Sequence, residues 1–185
     1  MNQRELISKL KQGDGSAFEQ AIAQWQDLVY NTALGLVQES TEAEDITQEV
    51  FIQLYQSVSG FREEALLSTW LYRVTVNKSL DSIRRNRTKK RLGLIGKLIG
   101  IEAYEEPDTF YHPGVQLEQK ENAARLLDAI RRLPDLQRVA FTLQKMEGLS
   151  QQEIADVMEK SIDSVESLLK RARQQLKKIL IDTND

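Results

Sequence analysis

Two carboxylates one helical turn apart, Asp45 and Glu49, and six bases within residues 84–91 are the groups in this chain best placed to do chemistry. Paired acids could hold a metal for hydrolysis or meet a basic partner. Hydrolysis also needs a base or a phosphate cradle, and the pattern places neither a histidine or lysine beside the pair nor a glycine-rich loop. There is no cysteine and a single histidine, His112, so thiolate nucleophiles and the usual zinc spacings are excluded. A nuclease is therefore the weaker reading. No cofactor is implied, and recognition of charged partners is the stronger expectation.

The net charge of -3 averages over segments of opposite sign. Residues 1–60 hold nine acids against three bases, whereas residues 62–91 hold nine bases against three acids. One surface suits a basic partner and the next a polyanion. At 185 residues and 41% hydrophobic content the chain can form one ordinary domain or two small ones. No stretch approaches the roughly 20 apolar residues of a membrane span, and the N-terminus lacks the layout of a secretory signal, so the expected compartment is the cytoplasm.

Apolar residues recur at helical spacing almost throughout, with three prolines in all, which predicts an all-α chain. A short first helix should end near Gly13-Asp14-Gly15, and Ser16 can cap a long helix to about Gln38. The next should start at the Ser40-Thr41 cap, with Glu44 closing a capping box, and reach about Val58. On it Asp45, Gln48 and Glu49 share the face opposite the stripe Ile46, Val50, Leu54 and Val58. Acids near a helix start also complement its dipole, so this face alone does not prove a partner. Ser68 should cap a third long helix with Leu71, Val74, Leu80 and Ile83 turned inward. Residues 92–117 break the pattern with four glycines, two prolines and an acidic patch, and read as a flexible linker. A helix to about Leu133, a break at Pro134 and a helix to Glu147 follow.

The last two helices, beginning at Ser150 and Ser161, have the spacing of a helix-turn-helix: a serine cap, the small Ala155, and Val165 ten residues on. With Val165 inward and about 100° per residue, Leu168, Leu169, Ala172 and Leu176 also turn inward. Asp163, Ser167, Lys170, Arg171, Gln174 and Lys178 turn out, toward a groove. The residues alone leave open a helical hairpin whose bases are merely solvated, and a self-sufficient DNA-binding regulator.

Pro134-Asp135, Glu147-Gly148-Leu149-Ser150 and Lys170-Arg171-Ala172-Arg173 resemble the C-terminal domain of sigma factors. Ala43-Glu44-Asp45-Ile46-Thr47-Gln48-Glu49-Val50-Phe51 resembles the sigma helix that docks on the coiled coil of the largest RNA polymerase subunit. Phe61-Arg62, Thr69-Trp70-Leu71-Tyr72-Arg73, Asn77, Asp81 and Arg84-Arg85 resemble the segment that melts and reads the upstream edge of the transcription bubble. With these matches in order across most of the chain, it is identified as a member of the extracytoplasmic-function group of the sigma-70 family. The resemblance implies two small helical domains, residues 1–91 and 118–185, joined by the linker 92–117. It implies core docking by Asp45, Gln48, Glu49 and Phe51, and a pocket for a captured -10 base at Phe61 and Asn77. Lys78, Arg84, Arg85 and Arg87 would hold phosphates, an affinity that carries no sequence information. Trp70 reads as core packing rather than as a stacking platform. The -35 contacts would come from Asp163, Glu166, Ser167, Lys170, Arg171 and Gln174. The implied partners are core polymerase, through the coiled coil and the flap of its second-largest subunit, promoter DNA and an anti-sigma factor. No catalysis is implied.

The recognition helix departs from the family, which offers bases around a serine where this chain has Glu166, Ser167 and Leu168. Glu166 is repelled by phosphate but can accept from a cytosine amino group. Glu159 stands where the turn often has glycine. The stretch 92–101 is apolar for a tether, and is expected to pack as a short helix against either domain or against an inhibitory partner.

Overall fold

The computed structural model of the chain describes residues 3–61, 66–98 and 117–182, and among these it is all-α. Helix α1 (Gln3–Lys11) buries Leu6, Ile7 and Leu10. Gly13, at φ +75°, takes the left-handed turn that ends it. Asp14, not Ser16, caps α2 (Gly15–Val37): its carboxylate accepts from the backbone N–H of Ser16 and Ala17 and from the Ser16 hydroxyl. Those donors hold its carboxyl below the usual range, the Ser16 hydroxyl contributing most. Likewise Glu39 caps α3 (Ser40–Ser57), accepting from Thr41 and Glu42 N–H, in place of the expected Ser40-Thr41 cap and its Glu44 box. In both cases a charged acceptor lies within reach of two amides, and charge-assisted hydrogen bonds are the stronger ones.

After a 3-10 turn at Val58–Gly60, α4 (Leu67–Leu98) starts one residue before Ser68 and continues as helix through Gly93 and Gly96. The expected break at residue 92 is therefore not where the helix stops. The rest of the linker up to residue 116, and with it His112, lies outside the described residues, as does the packing of the 92–101 stretch. The second module comprises α5 (Leu117–Arg131), α6 (Asp135–Lys145), α7 (Gln151–Met158) and α8 (Ile162–Asp182). Gly148, at φ +70°, turns the chain between α6 and α7.

Helix α4 does not carry one inner stripe. Leu71 and Leu80 are nine residues apart, as are Val74 and Ile83, and nine steps of about 100° bring a side chain to the opposite face. Leu71 and Val74 enter a core shared with α1, α2 and α3, built on Trp25, Val29, Ile46, Val50 and Leu54. Tyr72, Val76, Leu80 and Ile83 face away from it. They join Leu36 of α2 in a second core with Val139, Leu143, Ile154, Val157, Val165 and Leu169 of the C-terminal module. A third cluster seats α5 on α8 through Ile130, Leu133, Ala172 and Leu176.

The two modules thus share one core. They meet tightly at Gly35 in α2, where a Cβ would lie 2.8 Å from Thr142 Cγ2 and 2.9 Å from Met146 Sδ. Polar contacts ring the apolar centre: Gln38 Nε2 donates to Leu127 O at 3.0 Å, Arg73 Nη2 to Asp156 O at 2.7 Å, and Tyr72 Oη to Glu147 Oε2 at 3.3 Å. Arg138, almost fully buried, donates to the carbonyls of Leu36 and Arg131. Burial is the main influence lowering its pKa, with Arg87 second.

Candidate nucleic-acid and partner interfaces

On α3, Asp45, Gln48 and Glu49 are exposed on one face, as their spacing requires. Sequence reasoning missed that the face continues in apolar side chains: Ile52 is 54% and Tyr55 65% exposed, with the Tyr55 ring 4.9 Å from that of Phe18. The signal was present in the spacing, since Ile52 follows Asp45 by seven residues and Glu49 by three. Acids beside exposed apolar groups make a surface suited to a basic, amphipathic helix of a partner. Phe51 lies off this face, half-buried against the first core, so it supports α3 from beneath.

Phe61 ends the 3-10 turn, half-buried, with its ring edge-on to Trp70 at 6.3 Å. Trp70 packs partly on the first core, in line with its expected packing role. Asn77 is exposed three turns into α4, at the mouth of a cleft whose far wall is Leu136, Met158 and Glu159 of the second module.

Each of the five bases of α4 between residues 67 and 87 stands beside a carboxylate. Lys78 meets Glu49 at 2.9 Å, Arg73 meets Glu159 at 2.7 Å, and Arg84 meets Asp81 of its own helix at 3.4 Å. Arg85 approaches Glu42 at 3.9 Å, while the Ser82 hydroxyl donates to the same carboxylate. Arg87 stands 2.8 Å from Asp135 Oδ1, an ion pair by distance that lacks hydrogen-bond geometry. Two residues expected in different roles, Glu49 for docking and Lys78 for phosphate, are therefore direct partners.

Ser150 and Glu153 form the capping box of α7: Glu153 N–H donates to the Ser150 hydroxyl oxygen, and Ser150 N–H donates to the Glu153 carboxylate at 2.8 Å. Hydrogen bonds from Ser150 hold the Glu153 carboxyl low. Glu159 sits in the turn at φ 52°, the left-handed conformation that glycine would take without strain. Ser161 starts α8 by accepting from Ser164 N–H at 3.2 Å. Val165, Leu169, Ala172 and Leu176 are buried, and Leu168 packs partly on the second core. Asp163, Glu166, Ser167, Lys170, Arg171, Gln174 and Lys178 are all exposed on the outer face. Arg173, by contrast, is tied back to Gln144 at 2.9 Å.

Between the modules, burial raises the Tyr72 phenol well above its usual range, with Glu147 adding to the effect. Burial also raises the Glu147 carboxyl, outweighing the hydrogen bond it accepts from Tyr72. Among the described residues no group of acids and histidines could hold a metal, and no helix is long and apolar enough to cross a membrane.

Two family models match the chain: sigma-70 region 2 over residues 21–89 and sigma-70 region 4 over residues 123–176. RNA polymerase sigma-H factor of Pseudomonas aeruginosa is 29% identical over 182 residues, covering 96% of this chain and 93% of the relative. ECF RNA polymerase sigma factor SigW of Bacillus subtilis is 29% identical over 183 residues, covering 97% of each. In fold, the chain is similar to CnrH, solved in complex with the cytosolic domain of CnrY, with a TM-score of 0.70, 22% identity and 99% of both chains covered. The region 2 match contains α3 and the paired bases of α4, and the region 4 match contains the helix-turn-helix.

Proposed function

Because this chain belongs to the sigma-70 family of RNA polymerase sigma factors, in its extracytoplasmic-function group, we propose that each of its two modules performs the part of promoter recognition for which its exposed side chains are suited. The α3 face of Asp45, Gln48, Glu49, Ile52 and Tyr55 docks on the coiled coil of the largest polymerase subunit. Phe61 and Asn77 receive a base that leaves the stack in the -10 element, and the bases of α4 hold its phosphates. The outer face of α8 enters the major groove at the -35 element, with Ser167, Lys170 and Arg171 as contacts and Glu166 reading a cytosine amino group. The second module also meets the polymerase flap. An anti-sigma factor is the expected inhibitor, and the protein acts in the cytoplasm without catalysing a reaction.

The observation that carries this reading is the order of the two matches, sigma-70 region 2 before sigma-70 region 4, in one chain. A regulator that worked without polymerase would leave residues 21–89 without a role. Run-off transcription from a promoter library, with matched core polymerase, tests the proposal: transcripts should start at specific sites only when the chain is added. Reversing Asp45 and Glu49 to lysine should reduce core affinity at least tenfold without unfolding the chain, since two exposed attractive charges become repulsive. Wild-type core affinity in that double variant would overturn the docking assignment.

A further inference from the structure

The cations assigned to phosphate are already occupied. All five bases of α4 between residues 67 and 87 face carboxylates, and four of those five acids come from outside the helix. Phosphate approaching any of these five must therefore compete with a carboxylate of the protein itself. Glu49 is the acid with two claims on it. Its Oε2 lies 2.9 Å from Lys78 Nζ, and it also sits one turn from Asp45 on the exposed face of α3.

We propose that Glu49 couples the two surfaces. In the free chain it holds Lys78 away from nucleic acid, and when a basic polymerase surface docks on α3 it transfers to that surface and releases Lys78 to a promoter phosphate. This inference rests on the docking role proposed above for α3. One carboxylate cannot neutralise two cations as fully as one, so a cation arriving at Glu49 weakens its hold on Lys78. The Lys78 side chain is 24% exposed and that of Glu49 50%, so the pair is a partly screened surface contact. A pair of this kind changes an affinity by about two- to fivefold. Glu42 stands two turns before Glu49 on the same side of α3 and holds Arg85 at 3.9 Å, a longer contact that gives the weaker second step of the same device.

Phosphate binding of this kind carries no sequence information, so a mixed-sequence single-stranded oligonucleotide serves as the probe. Its affinity for the full chain is measured over a salt series for wild type, Glu49→Gln, Glu44→Gln, Lys78→Gln and the Glu49→Gln/Lys78→Gln pair. Glu44 is exposed on the same helix and stands in no ion pair among the described residues, so its variant removes the same charge without touching Lys78. Glu49→Gln should bind about two- to fivefold tighter, with a salt slope steeper by about 0.7, the increment for one phosphate on a single strand. Glu44→Gln should change neither, and the added Lys78→Gln should cancel the gain. At saturating core polymerase, wild type and Glu49→Gln should converge, because docking has already drawn Glu49 away. A Glu49→Gln that behaves like Glu44→Gln, a gain that survives loss of Lys78, or no strand binding by any free variant at low salt overturns the inference. So does an undiminished difference in the polymerase complex. If core polymerase binds neither protein, the docking role fails, while the free-chain comparison still decides whether Glu49 restrains Lys78.

Discussion

A carboxyl group forced toward its neutral form makes stability depend on pH, and Glu147 is such a group. Its folded pKa is raised by burial, so the folded chain holds the proton more tightly than the unfolded chain does. The stabilisation is therefore complete below the ordinary carboxylate pKa and is lost as pH rises through the raised value. Glu147 accepts from Tyr72 across the modules, so their contact should be looser at neutral pH than at mildly acidic pH. Glu147→Gln keeps an acceptor for Tyr72 and never ionises. Thermal melts at both pH values should show a smaller loss of Tm on going to the higher pH in the variant than in wild type. Equal losses would mean that water screens the site. Single residues read unevenly from the sequence: Glu159 stood out because its position called for glycine, whereas Glu147 looked like an ordinary helix-end acid. Its burial depends on Tyr72, 75 residues earlier in the chain.

Elements were legible where the decisive interaction is local. The capping box Ser150 to Glu153 lies within four residues and formed as a serine-capped start predicts. Ser150→Ala should cost about 1 kcal/mol, read as a lower denaturation midpoint with an unchanged slope. A stability equal to wild type would mean that the cap is replaced by water at no net loss. The caps of α2 and α3 were misplaced because Asp14 and Glu39 compete with the neighbouring hydroxyls that pattern rules favour. The two faces of α4 were readable in principle from the nine-residue interval between Leu71 and Leu80. Taking every apolar residue of that helix as one stripe concealed the second core. Ile52 and Tyr55 fall on the charged face of α3, where an amphipathic pattern calls for polar side chains, so their spacing carries no core signal.

On the scale of the whole molecule, the all-α class and the order of modules were legible, but their closure onto each other was not. Contacts such as Arg138 to the Leu36 carbonyl join residues 102 positions apart and leave no periodic trace. Gly35 is the one local mark: an unneeded helix breaker inside α2 until Thr142 and Met146 are seen against it. Gly35→Leu should keep the helix content, since leucine favours helix by up to about 1 kcal/mol over glycine, while forcing the modules apart. Small-angle scattering should show a larger radius of gyration for the variant. An unchanged radius would mean that the Met146 side chain and α6 yield instead.

The shared second core also bears on how the protein behaves when concentrated. Parting the modules brings Leu36, Tyr72, Val76 and Leu80 of one half and Val139, Leu143 and Ile154 of the other into water. These are complementary surfaces on a single chain, so each half can be satisfied equally well by the other half of a second copy. Within one chain the tether makes that encounter intramolecular and favours self-closure in dilute solution. At high concentration the same faces permit a reciprocal exchange of modules, a domain-swapped dimer whose contacts match those of the monomer and whose formation is limited by the rate of opening.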